Sequence, residues 1–169
     1  MKKYFISIIT SILATICLAG CQTQKSTTQT NQQNMNVVSK TTMIQDYNQI
    51  IDKYATVIGS YADSLRDNQI ETQKPTQQAN QTIDRINTKL QKSTLNKNIS
   101  NNFIKMNNAL KEVIACYANN NFTDLKKKQA AFNQDDLQLR KDLNINTSNQ
   151  KLTAALNKLK AVADSHATN

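Results

Sequence analysis

The chain has 169 residues and a formal charge of +9, with 22 Asn, 17 Gln and 18 Thr but only two Gly and one Pro. That length suits one domain of roughly 100–150 residues and leaves no room for two. The scarcity of Gly and Pro excludes a turn-rich β-sandwich or barrel and suits helices joined by polar loops.

The chain opens with Lys2 and Lys3, followed by a mostly apolar stretch, YFISIITSILATICL, over residues 4–18. The stretch carries two Ser and two Thr and is short of the ~20 residues of a membrane-spanning helix, so it reads as the apolar region of a cleaved signal. It ends in Leu18-Ala19-Gly20-Cys21. This order resembles the lipobox of bacterial lipoproteins processed by signal peptidase II. The resemblance implies a diacylglyceryl group on the Cys21 thiol, cleavage just before Cys21, and a lipid anchor on the extracytoplasmic side of the cell membrane or the outer membrane. In a two-membrane cell Gln22, standing where an Asp would favour inner-membrane retention, points to the outer membrane. Two or more acyl chains hold stably where one alone binds only marginally. Removing Lys2 and Lys3 lowers the charge from +9 to +7.

Residues 22–36 read QTQKSTTQTNQQNMN, with Lys25 as the single charge and Met35 as the single apolar side chain. No helical or strand period fits, and residues 21–39 are expected to be the lipidated cysteine and a disordered tether. Over about 15–19 residues such a coil has a reach of ~20–25 Å. A lone Lys25 is not a polybasic lipid-binding segment.

Residues 40–169 carry helical spacing, and the expected fold is all-α, an antiparallel bundle of four or five helices. In the first helix Tyr47, Ile50, Tyr54, Val57 and Tyr61 alternate at three and four, flanked by Ile44, Ile51, Ile58 and Leu65. Ser39 or Thr41 can cap it. Gly59 falls on the opposite face, as the mark of a close approach or a slight bend. The break at Glu71–Pro75 opens a second helix, with stripe Ala79, Ile83, Ile86 and Leu90; Pro is tolerated in a first turn. Ser93 and Thr94 end it or cap the next. The third stripe is Ile99, Phe103, Met106, Leu110, Val113 and Tyr117, with Ile114 adjacent.

Asn119, Asn120 and Asn121 form a turn, and Asn121 with Asp124 is expected to cap a fourth helix. Phe122, Leu125, Phe132, Leu139 and Leu143 share its register, but Gln129 and Asp136 interrupt the seam. The chain turns again near residues 144–149, before a last stripe of Leu152, Ala155, Leu156, Leu159, Val162 and Ala163. The fourth and fifth patterns read either as two helices or as one interrupted helix. Asn and Thr are poor helix formers, so packing has to carry the fold.

Chemistry-bearing residues are few. His166 extends the last stripe and reads as a packing residue, and with no second His or Cys cluster there is no zinc ligand set. Asp135 and Asp136 point about 100° apart on a helix. With Asp46, Asp52 and Asp63 they read as a solvated face. No Gly-rich phosphate loop exists, and no acid–base constellation marks an enzyme or a cofactor site. Cys116 is either a small packing residue or one half of an intermolecular disulfide. Lys126, Lys127 and Lys128, with Lys105 and Lys111 on the preceding helix, are either a solvated surface or a basic contact surface for anionic envelope polymers or headgroups. At least one of the three should lie beside the core and extend outward. Nucleic acid is not an expected partner of an exported protein.

These features point to a lipid-anchored, non-enzymatic envelope protein whose bundle binds or scaffolds another envelope component. The alternative is a protective lipoprotein, such as an immunity or superinfection-exclusion factor.

Overall fold

In a computed structural model the described residues are 37–67 and 72–167, with side chains described through Ser165. They form five α-helices: α1 (Lys40–Asp67), α2 (Gln73–Lys92), α3 (Lys97–Ala118), α4 (Leu125–Leu143) and α5 (Gln150–Ala167). The fold is an all-α bundle, and the fourth and fifth patterns are separate helices.

The helix ends follow from local chemistry. Ser39 Oγ accepts the Thr42 N–H at 3.1 Å and caps α1. At the start of α5 the Asn149 side chain accepts the Leu152 N–H at 2.9 Å. Pro75 lies in the first turn of α2, where its missing N–H costs nothing. Three breaks carry an Asn in the left-handed region, Asn96 (φ 54), Asn120 (φ 50) and Asn144 (φ 61), doing what glycine does in most proteins. At two of them the chain closes back over the helix end, Asn121 N–H to Cys116 O at 3.0 Å and Ile145 N–H to Arg140 O at 2.9 Å.

Ion pairs and hydrogen bonds fix the helix directions. Asp46 to Lys89 links α1 to α2, Asp84 to Lys111 links α2 to α3, and Lys105 to Asp135 and Glu112 to Lys128 link α3 to α4. With Gln49 to Arg85 and Asn87 to Asn107 added, residue numbers rise along one helix as they fall along the next, 46 and 49 against 89 and 85, 84 and 87 against 111 and 107, 105 and 112 against 135 and 128, so consecutive helices are antiparallel. The pairing of α1 with α5 is parallel: Asp52 meets Asn149 and Lys151, and Asp63 meets Lys158. Helix α5 therefore flanks α1.

The stripes read from the sequence are the core. Ile50, Val57, Ile58, Ile83, Ile86, Leu90, Phe103, Met106, Leu110, Val113, Ile114 and Leu139 are at most 1% exposed. Each such side chain contributes about 1.5–3 kcal/mol on burial.

Several local expectations are corrected. Around Gly59 a Cβ would meet nothing within 4 Å, so no close approach requires the glycine. Asn121 does not cap α4; its side chain accepts the Thr123 N–H at 3.3 Å inside the turn, and Asp124 makes no side-chain capping bond. Phe122 lies before α4 and packs its ring on Tyr61 and Tyr117. Asp46 is buried and ion-paired with Lys89 at 2.8 Å, not part of a solvated face.

A candidate binding cleft between α1, α4 and α5

The tyrosines of α1 recur every seven residues, at 47, 54 and 61, and a seven-residue step returns to nearly the same helix face. The facing segment runs the other way and offers Asp136, Gln129 and Phe122, also seven apart. The Tyr47 hydroxyl donates to Asp136 Oδ1 at 2.8 Å, and the Tyr54 hydroxyl donates to Gln129 Oε1 at 3.0 Å. Tyr61 meets Phe122 ring to ring, with centroids 5.5 Å apart. The rings of the first two are held by aromatic neighbours, Tyr47 by Phe103 and Tyr54 by Phe132. A buried tyrosine needs a partner for its hydroxyl, and this explains the polar residues that interrupt the α4 stripe. Gln129 passes the network on, donating to Asn133 Oδ1 at 2.9 Å.

Beside this ladder α4 stands off from α1 and α5 and leaves a cleft of about 80 Å³. Tyr47, Tyr54, Gln129 and Asp136 line its polar side, and Ile51, Phe132, Leu152 and Leu156 its apolar side. Leu137 stands at its edge 55% exposed, one of three large apolar side chains that the described residues leave in solvent.

Electrostatically the cleft is quiet. Burial pushes the Asp136 carboxyl above the usual carboxylate range, against the opposing pull of the Tyr47 hydrogen bond and the Arg140 charge. Burial likewise raises Tyr47 and Tyr54 far above the ordinary phenol value. Arg140 turns away to the α4–α5 connection, donating to Ile145 O at 3.4 Å and Thr147 O at 3.1 Å. The lining holds one carboxyl group, so it offers no paired acid and base. No group of three His, Cys, Asp or Glu suited to a metal occurs among the described residues.

The sequence-predicted site residues do not converge on this cleft. Cys21 lies outside the described residues, and the His166 side chain is likewise outside them. Cys116 is a free thiol, 3% exposed on α3. An intermolecular disulfide needs the sulfur at the surface, so the packing reading fits this burial. Burial also raises the thiol pKa, a pull that neighbouring Lys128 opposes.

The five lysines of the candidate basic surface are dispersed by their partners. Lys105 pairs with Asp135 at 2.7 Å, Lys111 with Asp84 at 2.8 Å, and Lys128 with Glu112 at 3.2 Å. Lys128 is the one beside the core, next to Cys116. Of these five, only Lys126 and Lys127 are exposed without an ion pair among the described residues, and they stand at the end of the bundle away from Val37.

Sequence reasoning recognised Gln129 and Asp136 as interruptions but not as partners of Tyr54 and Tyr47. The signal was the shared seven-residue step on both helices. No known protein family, curated protein or solved structure matches the chain. Among the described residues no helix is long and apolar enough to cross a membrane.

Proposed function

We propose that the chain is a lipid-anchored, non-enzymatic protein of the cell envelope, whose helical domain binds or scaffolds another envelope component. The anchor rests on Leu18-Ala19-Gly20-Cys21 and belongs on the extracytoplasmic side of the cell membrane or the outer membrane. The binding role is carried by one observation, the α1–α4–α5 cleft with Leu137 exposed at its edge. Its volume of about 80 Å³ is far below the ~300–1,000 Å³ of small-molecule sites. That size suits one side chain of a protein partner, with Leu137 as the apolar rim contact and Asn133 as the polar one.

The test is crosslinking in living cells from a photoreactive residue at position 137, with Gln81 on the outer side of α2 as the reference position. One envelope protein captured from 137, not from 81, and lost when Asn133→Lys is added at the cleft is the expected result. Equal capture from both positions overturns the cleft reading. Labelling with palmitate tests the anchor separately: Cys21→Ser should abolish label and release the protein. Membrane attachment that persists in cleaved Cys21→Ser protein after a high-salt wash overturns the anchor.

A further inference from the structure

The end of the bundle at which the described residues begin, and which the expected tether would join, is built from four separate pieces of chain. The Val38 N–H donates to Ser93 Oγ at 3.1 Å, which ties the lead into α1 to the end of α2. Lys40 Nζ reaches Asp142 O at 3.0 Å, Lys97 Nζ reaches Gln91 O at 3.5 Å, and Asn102 donates to Asp142 Oδ2 at 2.8 Å. The start of α1, the end of α2, the start of α3 and the end of α4 therefore share one face.

This face is basic and partly apolar. Lys40, Lys92, Lys97 and Lys141 are all exposed on it, and none has an ion-pair partner among the described residues. The acid set among them, Asp142, is half-buried and already accepts from Asn102 and Gln138. Val37 at 43% and Leu95 at 47% exposure stand on the same face, and with Leu137 they complete the exposed large apolar side chains of the described residues. The opposite end differs. Lys74, Lys126 and Lys127 are exposed there too, but among Asp63, Asp67, Glu112, Asp124 and Asp164, four of which belong to ion pairs.

We infer that the tether end, formed by Lys40, Lys92, Lys97 and Lys141 around Val37 and Leu95, docks on the anionic headgroup surface of the bilayer that holds the anchor. The inference rests on the lipid-anchor reading for its geometry. Position 37 is the first described residue, and residues 22–36 separate it from Cys21 with Lys25 as their only charge. On the tether reading that segment supplies reach without attraction, and the folded face supplies the cluster of basic residues that juxtamembrane segments usually carry in sequence. Exposed apolar side chains among lysines are the composition of surfaces that rest at a headgroup boundary. Docked in this way, the domain stands on the membrane with the cleft opening sideways and Lys126 and Lys127 pointing away.

The experiment separates this surface from the anchor by omitting the lipid. Non-lipidated Cys21→Ser protein, lacking residues 1–20 as the cleaved chain would, is sedimented with vesicles of phosphatidylcholine alone or mixed with phosphatidylglycerol. Binding only to the mixed vesicles, weakening with salt, is expected. The Lys40→Gln, Lys92→Gln, Lys97→Gln and Lys141→Gln changes should each lower partitioning roughly five-fold. A Lys74→Gln/Lys126→Gln/Lys127→Gln triple variant should leave it nearly unchanged, and Leu95→Ser should lower it. Equal losses from the two lysine sets, or no preference for phosphatidylglycerol, overturn the inference. Circular dichroism checks that each variant keeps its helix content. Palmitate labelling of the unaltered protein decides the anchor on its own, so the two failures cannot be confused.

Discussion

Helix α1 has two working faces, and they are built on different principles. On the side of α2 it presents Ile50 and Val57, which share the core with Ile83, Ile86, Phe103 and Leu110, all at most 1% exposed. Toward α4 it presents Tyr47 and Tyr54, whose hydroxyls need Asp136 and Gln129. The first face gains its stability from area and close packing, with no demand for particular partners. The second has directional bonds between a few groups, and beside it lies the cleft. An apolar seam is strong and indifferent to register; a polar ladder is weaker but fixes which residue meets which.

Damage on the apolar face should be the larger. Phe103→Ala leaves a cavity where a ring packs against Tyr47, with a 6.5 Å centroid separation, at a site 0% exposed. A loss of about 3–5 kcal/mol is expected from urea unfolding. A loss under ~1 kcal/mol would mean that this face is not the one that holds the bundle together.

On the polar face the expected signature is non-additivity. Tyr54→Phe leaves the buried Gln129 carbonyl without its donor, at a cost of about 1–3 kcal/mol. Adding Gln129→Met removes the stranded acceptor and should recover most of that loss. Strict addition of the two single effects would show that the bond does not define the seam.

A change on neither face calibrates the scale. Gly59 lies in the interior of α1, and an added Cβ meets no atom within 4 Å. Gly59→Ala should stabilise the protein by about 1 kcal/mol, read as a higher urea midpoint with unchanged slope. Destabilisation would reveal a contact made by the outer face of α1.

The contrast between the faces also explains what the sequence made legible. The apolar stripes follow from period alone, and the Asn-rich stretches at 119–121 and 144–149 marked two helix breaks, each holding an Asn in the left-handed region. A polar interruption such as Gln129 is visible in the sequence, but its partner Tyr54 lies 75 residues away. Pairing them needs the relative register of two helices, which no local pattern encodes. The same limit governs the charges. Lys126, Lys127 and Lys128 attract attention by adjacency, whereas Lys40, Lys92, Lys97 and Lys141 become neighbours only through the fold.

The smallest expected effect tests the polar face through protons. Asp136→Asn keeps an oxygen to accept from Tyr47, so only the titration is removed. In the native protein burial lifts the Asp136 carboxyl above its unfolded value, while Tyr47 and Arg140, the polar groups facing it from α1 and from its own helix, pull it back. Between the unfolded and folded values the native state binds more protons than the unfolded state, so this group lowers stability as pH rises through that window. Asp52 acts with the opposite sign. Desolvation raises it, but the hydrogen bonds from Lys151 and Asn149 prevail and hold it low, so its contribution is present at neutral pH and lost as the solution is acidified. A pH profile of the unaltered protein mixes the two. The difference between Asp136→Asn and unaltered protein isolates the first: the variant should be the more stable at neutral pH, with the gap closing as pH falls to the ordinary carboxylate range. Urea midpoints of both proteins across pH measure that gap. A gap that stays constant would place the Asp136 carboxyl in contact with water and remove the electrostatic distinction between the two faces of α1.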